Sequence, residues 1–289
     1  MICTQCPRKC KAERLDNNGA GVCGMPALPR VARAALHYGE EPCISGENGS
    51  GTVFFSGCSL ACRFCQNRPI SREGFGATIT VERLATIFRE LTEQGAHNIT
   101  LVNPTHYAAA IRAALDIYRP PVPVVYNTGG YERLESLRML EGYVDVYLPD
   151  LKYLSSSLAA QLSGAGDYPD HATAAILEMA RQTGPVTLDE NGLIRRGTIV
   201  RHLVLPGHTA ESIAVLRWLK EHLPTGTYVS VMLQYTPVGE LAAPLDRPLT
   251  LRECRKIRDF VEELELEGYI QQRSSAGTDA IPHFDLTGV

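Results

Sequence analysis

From about Gly51 onward the apolar positions alternate between two patterns. Short β-branched or aliphatic runs predict strands over residues 52–56, 98–103, 122–128, 144–150, 198–206 and 228–235. Helical stripes lie between them: Val81, Leu84, Ile87, Phe88 and Leu91 share one face, and Ile213, Leu216, Leu219 and Leu223 share another that Pro224 stops. The last helix opens on a capping box, Thr250-Leu-Arg-Glu253, and its stripe of Leu251, Cys254, Ile257, Val261 and Leu264 runs on until Gly268. Cys254 is therefore expected in the core. Strand followed by helix, repeated, is the signature of βα units on a parallel sheet. Six such units are two short of a closed eight-stranded barrel, so the expected fold class is α/β, a partial (β/α)6 TIM-type barrel, with an open doubly wound sheet as the alternative. Arg119-Pro-Pro-Val-Pro123 reads as a rigid entry to the third strand, and Gly164-Ala-Gly-Asp-Tyr-Pro169 as a loop between two helices of the fourth crossover. The expected organisation is a cysteine-rich metal-binding extension over 1–45, the barrel over 46–270 and a polar, irregular tail over 271–289 that either caps the barrel mouth or stays disordered.

Composition narrows the partners. With 289 residues, 44% hydrophobic and 21% charged, the chain can bury a sizeable core. A formal charge of -4 offers no basic field for phosphate backbones, and no stretch approaches the roughly 18 apolar residues a membrane span needs, so neither nucleic acid nor bilayer is expected. The start, Met-Ile-Cys-Thr-Gln-Cys, lacks a basic segment followed by an apolar one, so the expectation is a cytoplasmic protein. Nine cysteines in that reducing compartment point to metal ligation rather than disulfides. They fall into an early group, Cys3, Cys6, Cys10, Cys23 and Cys43, then Cys58, Cys62 and Cys65, and finally Cys254.

Cys58-Ser-Leu-Ala-Cys62-Arg-Phe-Cys65 follows the first barrel strand. A four-iron cluster normally takes one thiolate per iron, so a C-x3-C-x2-C loop leaves one iron open to a cofactor or substrate. Phe64, just before the last ligand, can shield such a cluster or simply pack. Cys3, Cys6, Cys10 and Cys23 supply four ligands among Pro and Gly turn residues, which makes a closed second site, either zinc or an auxiliary iron–sulfur cluster. Zinc is slightly favoured by this reading. Cys43 is either an extra ligand or a buried thiol. Polar residues gather at the predicted strand ends: Asn103, Asn127 with Thr128, Asp150, and Gln234 with Tyr235. In a parallel barrel these face one mouth, together with the cysteine loop.

These motifs resemble the radical S-adenosylmethionine superfamily, whose signature is a C-x3-C-aromatic-x-C loop. Over nearly its whole length the chain looks like the pyruvate formate-lyase activating enzyme-like group. The resemblance rests on Glu41-Pro-Cys-Ile-Ser-Gly46, Gly49-Ser-Gly-Thr-Val-Phe-Phe-Ser-Gly57, Cys58 to Asn67, Pro104-Thr-His-Tyr107, Tyr126-Asn-Thr-Gly-Gly-Tyr131, Tyr147-Leu-Pro-Asp-Leu-Lys152 and Arg201-His-Leu-Val-Leu-Pro-Gly207. It implies a [4Fe-4S] cluster on Cys58, Cys62 and Cys65, with S-adenosylmethionine chelating the unique iron. One electron then yields methionine and a 5'-deoxyadenosyl radical that abstracts hydrogen from a substrate. It also implies an electron donor such as flavodoxin or ferredoxin and, in the activating branch, a glycyl radical enzyme as partner. The cofactor contacts it implies are Asp150 and Lys152, matching an Asp-Leu-Lys triplet, and Asn127 with Thr128, where Asn127 replaces a usual carboxylate. The usual Gly-Gly-Glu after the second strand is absent; Asn103-Pro-Thr-His106 stands there, and His106 is expected to serve instead, to face the substrate, or to cap and pack. Radical modification of a small molecule or peptide is the alternative activity. A non-catalytic iron–sulfur or zinc protein, carrying electrons or binding, is the alternative of another class.

Overall fold

A computed structural model describes residues 2–272 and 282–289. The chain runs through β1 (Arg30–His37), α1 (Pro42–Ser45), β2 (Ser50–Phe55), α2 (Arg68–Ser71), β3 (Ala77–Thr78), α3 (Val81–Glu93) and β4 (Ile99–Val102). A 3₁₀ turn over Thr105–Tyr107 leads into α4 (Ala108–Ile117), β5 (Val124–Thr128), α5 (Leu134–Met139), β6 (Val146–Pro149), α6 (Ser156–Ser163) and α7 (Tyr168–Thr183). Then follow β7 (Thr187–Leu188), β8 (Ile194–Leu203), α8 (Thr209–His222), β9 (Tyr228–Met232), α9 (Leu251–Leu264) and β10 (Gly268–Gln271).

The six predicted strands appear as β2, β4, β5, β6, β8 and β9, all parallel neighbours in that order. This is the partial barrel. Two additions flank it. β10, a strand the sequence pattern did not predict, pairs in parallel with β9, from Gly268 against Val229 to Gln271 against Met232, and so draws the first residue of the expected irregular tail into the sheet. Gly268 permits this because a Cβ there would stand 2.0 Å from the Val229 carbonyl oxygen, so the backbones close only around a glycine. At the other end β1 pairs antiparallel with β2, so the sheet begins upstream of residue 46. Of the expected tail, residues 273–281 lie outside the described residues; 282–289 turn back to β1, where Leu286 N–H donates to Ala32 O and Ala34 N–H to Thr287 O.

Burial follows the sequence pattern. Strands β2, β4, β5 and β6 are buried throughout, as expected where both faces are covered. The outer helices bury most of their stripes: α3 starts at its Thr80 cap, and the capping box of α9 forms as read, with Cys254, Ile257 and Val261 in the core, whereas Leu251, expected in that stripe, lies in the first turn of α9 and is exposed. Gly164, in the left-handed region at φ 66°, ends α6 and opens the loop to α7. Inside the sheet, α1 inserts Cys43 and Ile44 among Val125, Val146, Leu148 and Ile199 and so floors the barrel. Cys43 is a buried thiol in the cluster against which Tyr269 packs.

Candidate active site

The loop after β2 is tied on three sides. Gly57, at φ 83°, donates to Ile70 O at 2.8 Å; Ala61 and Arg63 N–H donate to Ser163 O and Leu162 O, both at 2.9 Å, at the end of α6. Asn103 braces the loop from β4, its amide donating to Gly57 O and its Oδ1 lying 3.7 Å from Cys58 Sγ. Hydroxyls meet the other two sulfurs: Ser163 Oγ is 3.0 Å from Cys62, and Ser71 Oγ is 3.3 Å from Cys65.

This loop forms one wall of a cavity of about 300 Å³ at the C-terminal ends of the strands. Cys62, Phe64, Cys65, Asn127, Asp150, Lys152 and Gln234 all line it. Phe64 is buried, its ring 6.3 Å from that of Tyr235. The structure thus brings most of the sequence-predicted residues together, and sets three apart. Asn103 serves from behind the loop. Thr128 turns away, donating to Glu132 Oε1 at 2.5 Å. His106 is buried in the 3₁₀ turn with its Nε2 2.7 Å from Ser56 O, holding the end of β2 instead of facing the cavity. Burial lowers its pKa to about 3, so the ring is neutral.

A chain of alternating charge crosses the cavity. Arg201 on β8 donates through Nε to Asp150 at 3.0 Å, through Nη1 to Glu40 at 3.2 Å and through Nη2 to Asn127 Oδ1 at 2.7 Å. Lys152 Nζ donates to the other oxygen of Asp150 at 2.6 Å, and Asn127 Nδ2 to Glu40 at 3.0 Å. Burial works against the charge on Asp150, but Lys152 and Arg201 outweigh it and hold the carboxyl below its ordinary range. Lys152 is held protonated in the same way, burial being overcome by Asp150 and by Cys62. For Glu40 burial wins and pushes the carboxyl up despite Arg201. Glu40 and Arg201 escaped the sequence reading. The Arg201–Gly207 motif was a usable sign for Arg201, although no site role was read from it; nothing local distinguished Glu40, which arrives through the β1–α1 turn.

Burial pushes the Cys58 thiol up to about 12 and raises Cys62, which Lys152 partly opposes. Without a metal these thiols are neutral, so a cluster must displace their protons on binding. The donor set is three soft sulfurs on one braced loop, with a cation beside Cys62. Those residues suit an iron–sulfur cluster and leave one iron without a protein ligand.

Fold and site together define a barrel enzyme with a three-thiolate loop at its mouth. The chain belongs to the Radical SAM superfamily, whose profile matches residues 52–219, more than half its length. It is 29% identical over 243 residues to Uncharacterized protein MJ0674 of Methanocaldococcus jannaschii, covering 80% of this chain and 67% of that one. Among solved structures, a radical SAM methyltransferase from Sphaerobacter thermophilus superposes with a TM-score of 0.56 at 18% identity, covering 80% of this chain and 68% of its own. Streptococcus suis SuiB bound to S-adenosylmethionine gives 0.51 at 15% identity over 74% of this chain. The chain spans only 47% of SuiB. At these identities the two structures share the fold. No helix among the described residues is long and apolar enough to cross a membrane.

Proposed function

We propose that this radical S-adenosylmethionine enzyme binds its cofactor between the loop of Cys58, Cys62 and Cys65 and the Asp150–Lys152 pair, and directs the resulting radical at a polypeptide partner, as a glycyl-radical-enzyme activator does. The carrying observation is that cysteine loop and charge pair line one cavity. When bound, the cluster supplies the electron that breaks a carbon–sulfur bond of S-adenosylmethionine. The chain's own residues bind, orient and exclude water. Asp150 and Lys152 present opposite charges to the zwitterionic end of the cofactor, Phe64 and Tyr235 supply an apolar wall, and Gln234 offers a buried Oε1 that no group of the described residues meets. Asn127, with both amide ends engaged, fixes Arg201 and Glu40.

A macromolecular substrate is supported by size. A cavity of about 300 Å³ sits at the lower end of ligand sites, about enough for one cofactor, so the hydrogen donor must be presented at the rim. The electron enters from a small carrier of the flavodoxin or ferredoxin class. Anaerobic protein reduced with dithionite in the presence of S-adenosylmethionine should form 5'-deoxyadenosine; none formed by protein of full iron content would end the reading. A glycyl partner deuterated at its backbone glycine should pass deuterium to that product. Transfer from a small molecule instead would reassign the substrate class.

A further inference from the structure

Away from the cavity, the richest set of metal-binding side chains is the N-terminal one. Two turns build it. Cys3 N–H donates to Ala12 O at 2.9 Å and Ile2 bridges Glu13, which clasps the two ends of the first loop. Within it Lys9 N–H closes onto Cys6 O at 3.2 Å, with Lys9 in the left-handed region at φ 42°, so that Cys6 and Cys10 flank one tight turn. The second turn closes Gly24 N–H onto Gly21 O at 3.2 Å and presents Cys23. The loops meet at sulfur: a Cβ on Gly21 would stand 2.7 Å from Cys10 Sγ. Cys6 lies within electrostatic reach of Cys23 and Cys3, and Cys23 within reach of Cys3 and Cys10. Buried Arg14 donates to Cys3 Sγ at 3.6 Å.

The knuckle is seated on the radical site. Arg8 Nε donates to Ser59 O at 2.8 Å, inside the Cys58–Cys65 loop. A Cβ on Gly57 would stand 2.1 Å from Met25 Cγ and 3.1 Å from Cys23 O, so only a glycine next to Cys58 lets the two cysteine-bearing backbones pack.

We propose that Cys3, Cys6, Cys10 and Cys23 hold a second iron–sulfur cluster, closed by four protein thiolates and seated directly against the loop of Cys58. All-sulfur donors select zinc or iron–sulfur groups. A single zinc draws four sulfurs to about 2.3 Å from one point, whereas a cubane spreads its thiolates over separate irons. Position separates the two: the N-terminal turns pack directly against the Cys58–Cys65 loop through Arg8 on Ser59 O and Met25 on Gly57, where a redox-active cluster can exchange electrons with the barrel site and a zinc ion cannot. The inference is independent of the substrate proposed above.

The test uses the full chain carrying Cys58→Ala, Cys62→Ala and Cys65→Ala together, purified anaerobically and reconstituted with iron and sulfide. It should retain about four iron and four labile sulfide per chain and show a cluster spectrum by electron paramagnetic resonance after reduction. Zinc, or no metal, in a variant with wild-type circular dichroism overturns the proposal. If that variant does not fold, the chain with Cys6→Ala and Cys10→Ala decides: about half the wild-type iron supports a second cluster, and undiminished iron rejects it. Neither outcome depends on cleavage of S-adenosylmethionine, which is read separately on the wild type.

Discussion

The barrel mouth and the N-terminal knuckle both gather cysteines, and they are held by different forces. At the mouth the thiols hang on a loop fastened to α2, β4 and α6, all parts of a packed sheet-and-helix body. The knuckle has almost no core of its own: Cys3, Cys6 and Met25 are buried, while Ile2, Leu15 and Val22 lie open to solvent. Backbone turns shape it. The scaffold therefore builds the first site before any metal arrives, whereas in the second the metal would supply part of the folding free energy.

The sharpest way to break this contrast is at the mouth itself. Replacing Cys58, Cys62 or Cys65 singly with Ala should abolish 5'-deoxyadenosine formation while far-ultraviolet circular dichroism stays unchanged; a loss of fold would mean that this site too depends on its metal. The charge chain comes next. Arg201→Met leaves Glu40 and Asp150 facing each other without their shared cation, and breaking such a buried network costs about 3–5 kcal/mol, readable by urea denaturation. Arg201→Lys should recover little, because one ammonium cannot reach three acceptors.

Glu132 marks the seam between the two regions. It is buried, accepts hydrogen bonds from Thr105, Thr128 and Tyr126, and lies near enough to Cys6 to disfavour a thiolate there. Burial raises its pKa to about 7 against an ordinary value of 4.5. Between those two values the folded state keeps a proton that the unfolded state has lost, so stability falls as pH rises from 4.5 to about 7 and then levels. The drop should be about 3 kcal/mol. Glu132→Gln should flatten that part of the stability–pH curve; an unchanged slope would place the titration elsewhere.

Cofactor binding gives a smaller effect. Asp150→Ala or Lys152→Ala should weaken S-adenosylmethionine by roughly 1.5–3 kcal/mol, about ten- to a hundredfold, with iron content intact. Unchanged affinity in both would remove the pair from the site. The smallest effect belongs to the contact between the regions: Arg8→Ala loses the bond to Ser59 O and the face of Tyr131, about 1 kcal/mol in thermal stability. Cleavage of S-adenosylmethionine should persist.

The sequence showed what local pattern can show. Six strands, most of the α3, α8 and α9 stripes, the α9 capping box and the cysteine loop are written in spacing; the strand ends led to Asp150 and Gln234, and the family resemblance to Lys152. What it hid depends on distant partners. β10 is short and half polar, and becomes a strand only because β9 offers it an edge. His106 sits just past a strand end, as a functional residue would, yet its Nε2 is held by Ser56 O and it does not line the cavity. Glu40 joins the site across 161 residues from Arg201, a pairing no neighbouring residue announces.

The return of residues 282–289 to β1 has a consequence for association. Beyond Arg30 and Val31, where β3 pairs, the outer edge of β1 would present unmet backbone groups, the template on which sheets add strands from other molecules. Leu286 and Thr287 cover Ala32 and Ala34, Arg33 ties Asp285 at 2.8 Å, and Val289 packs into the core beneath. The last eight residues therefore act as a selvage on the woven sheet: trimmed away, they would take Pro282 from the cavity wall and bare an adhesive border through which copies of the protein aggregate.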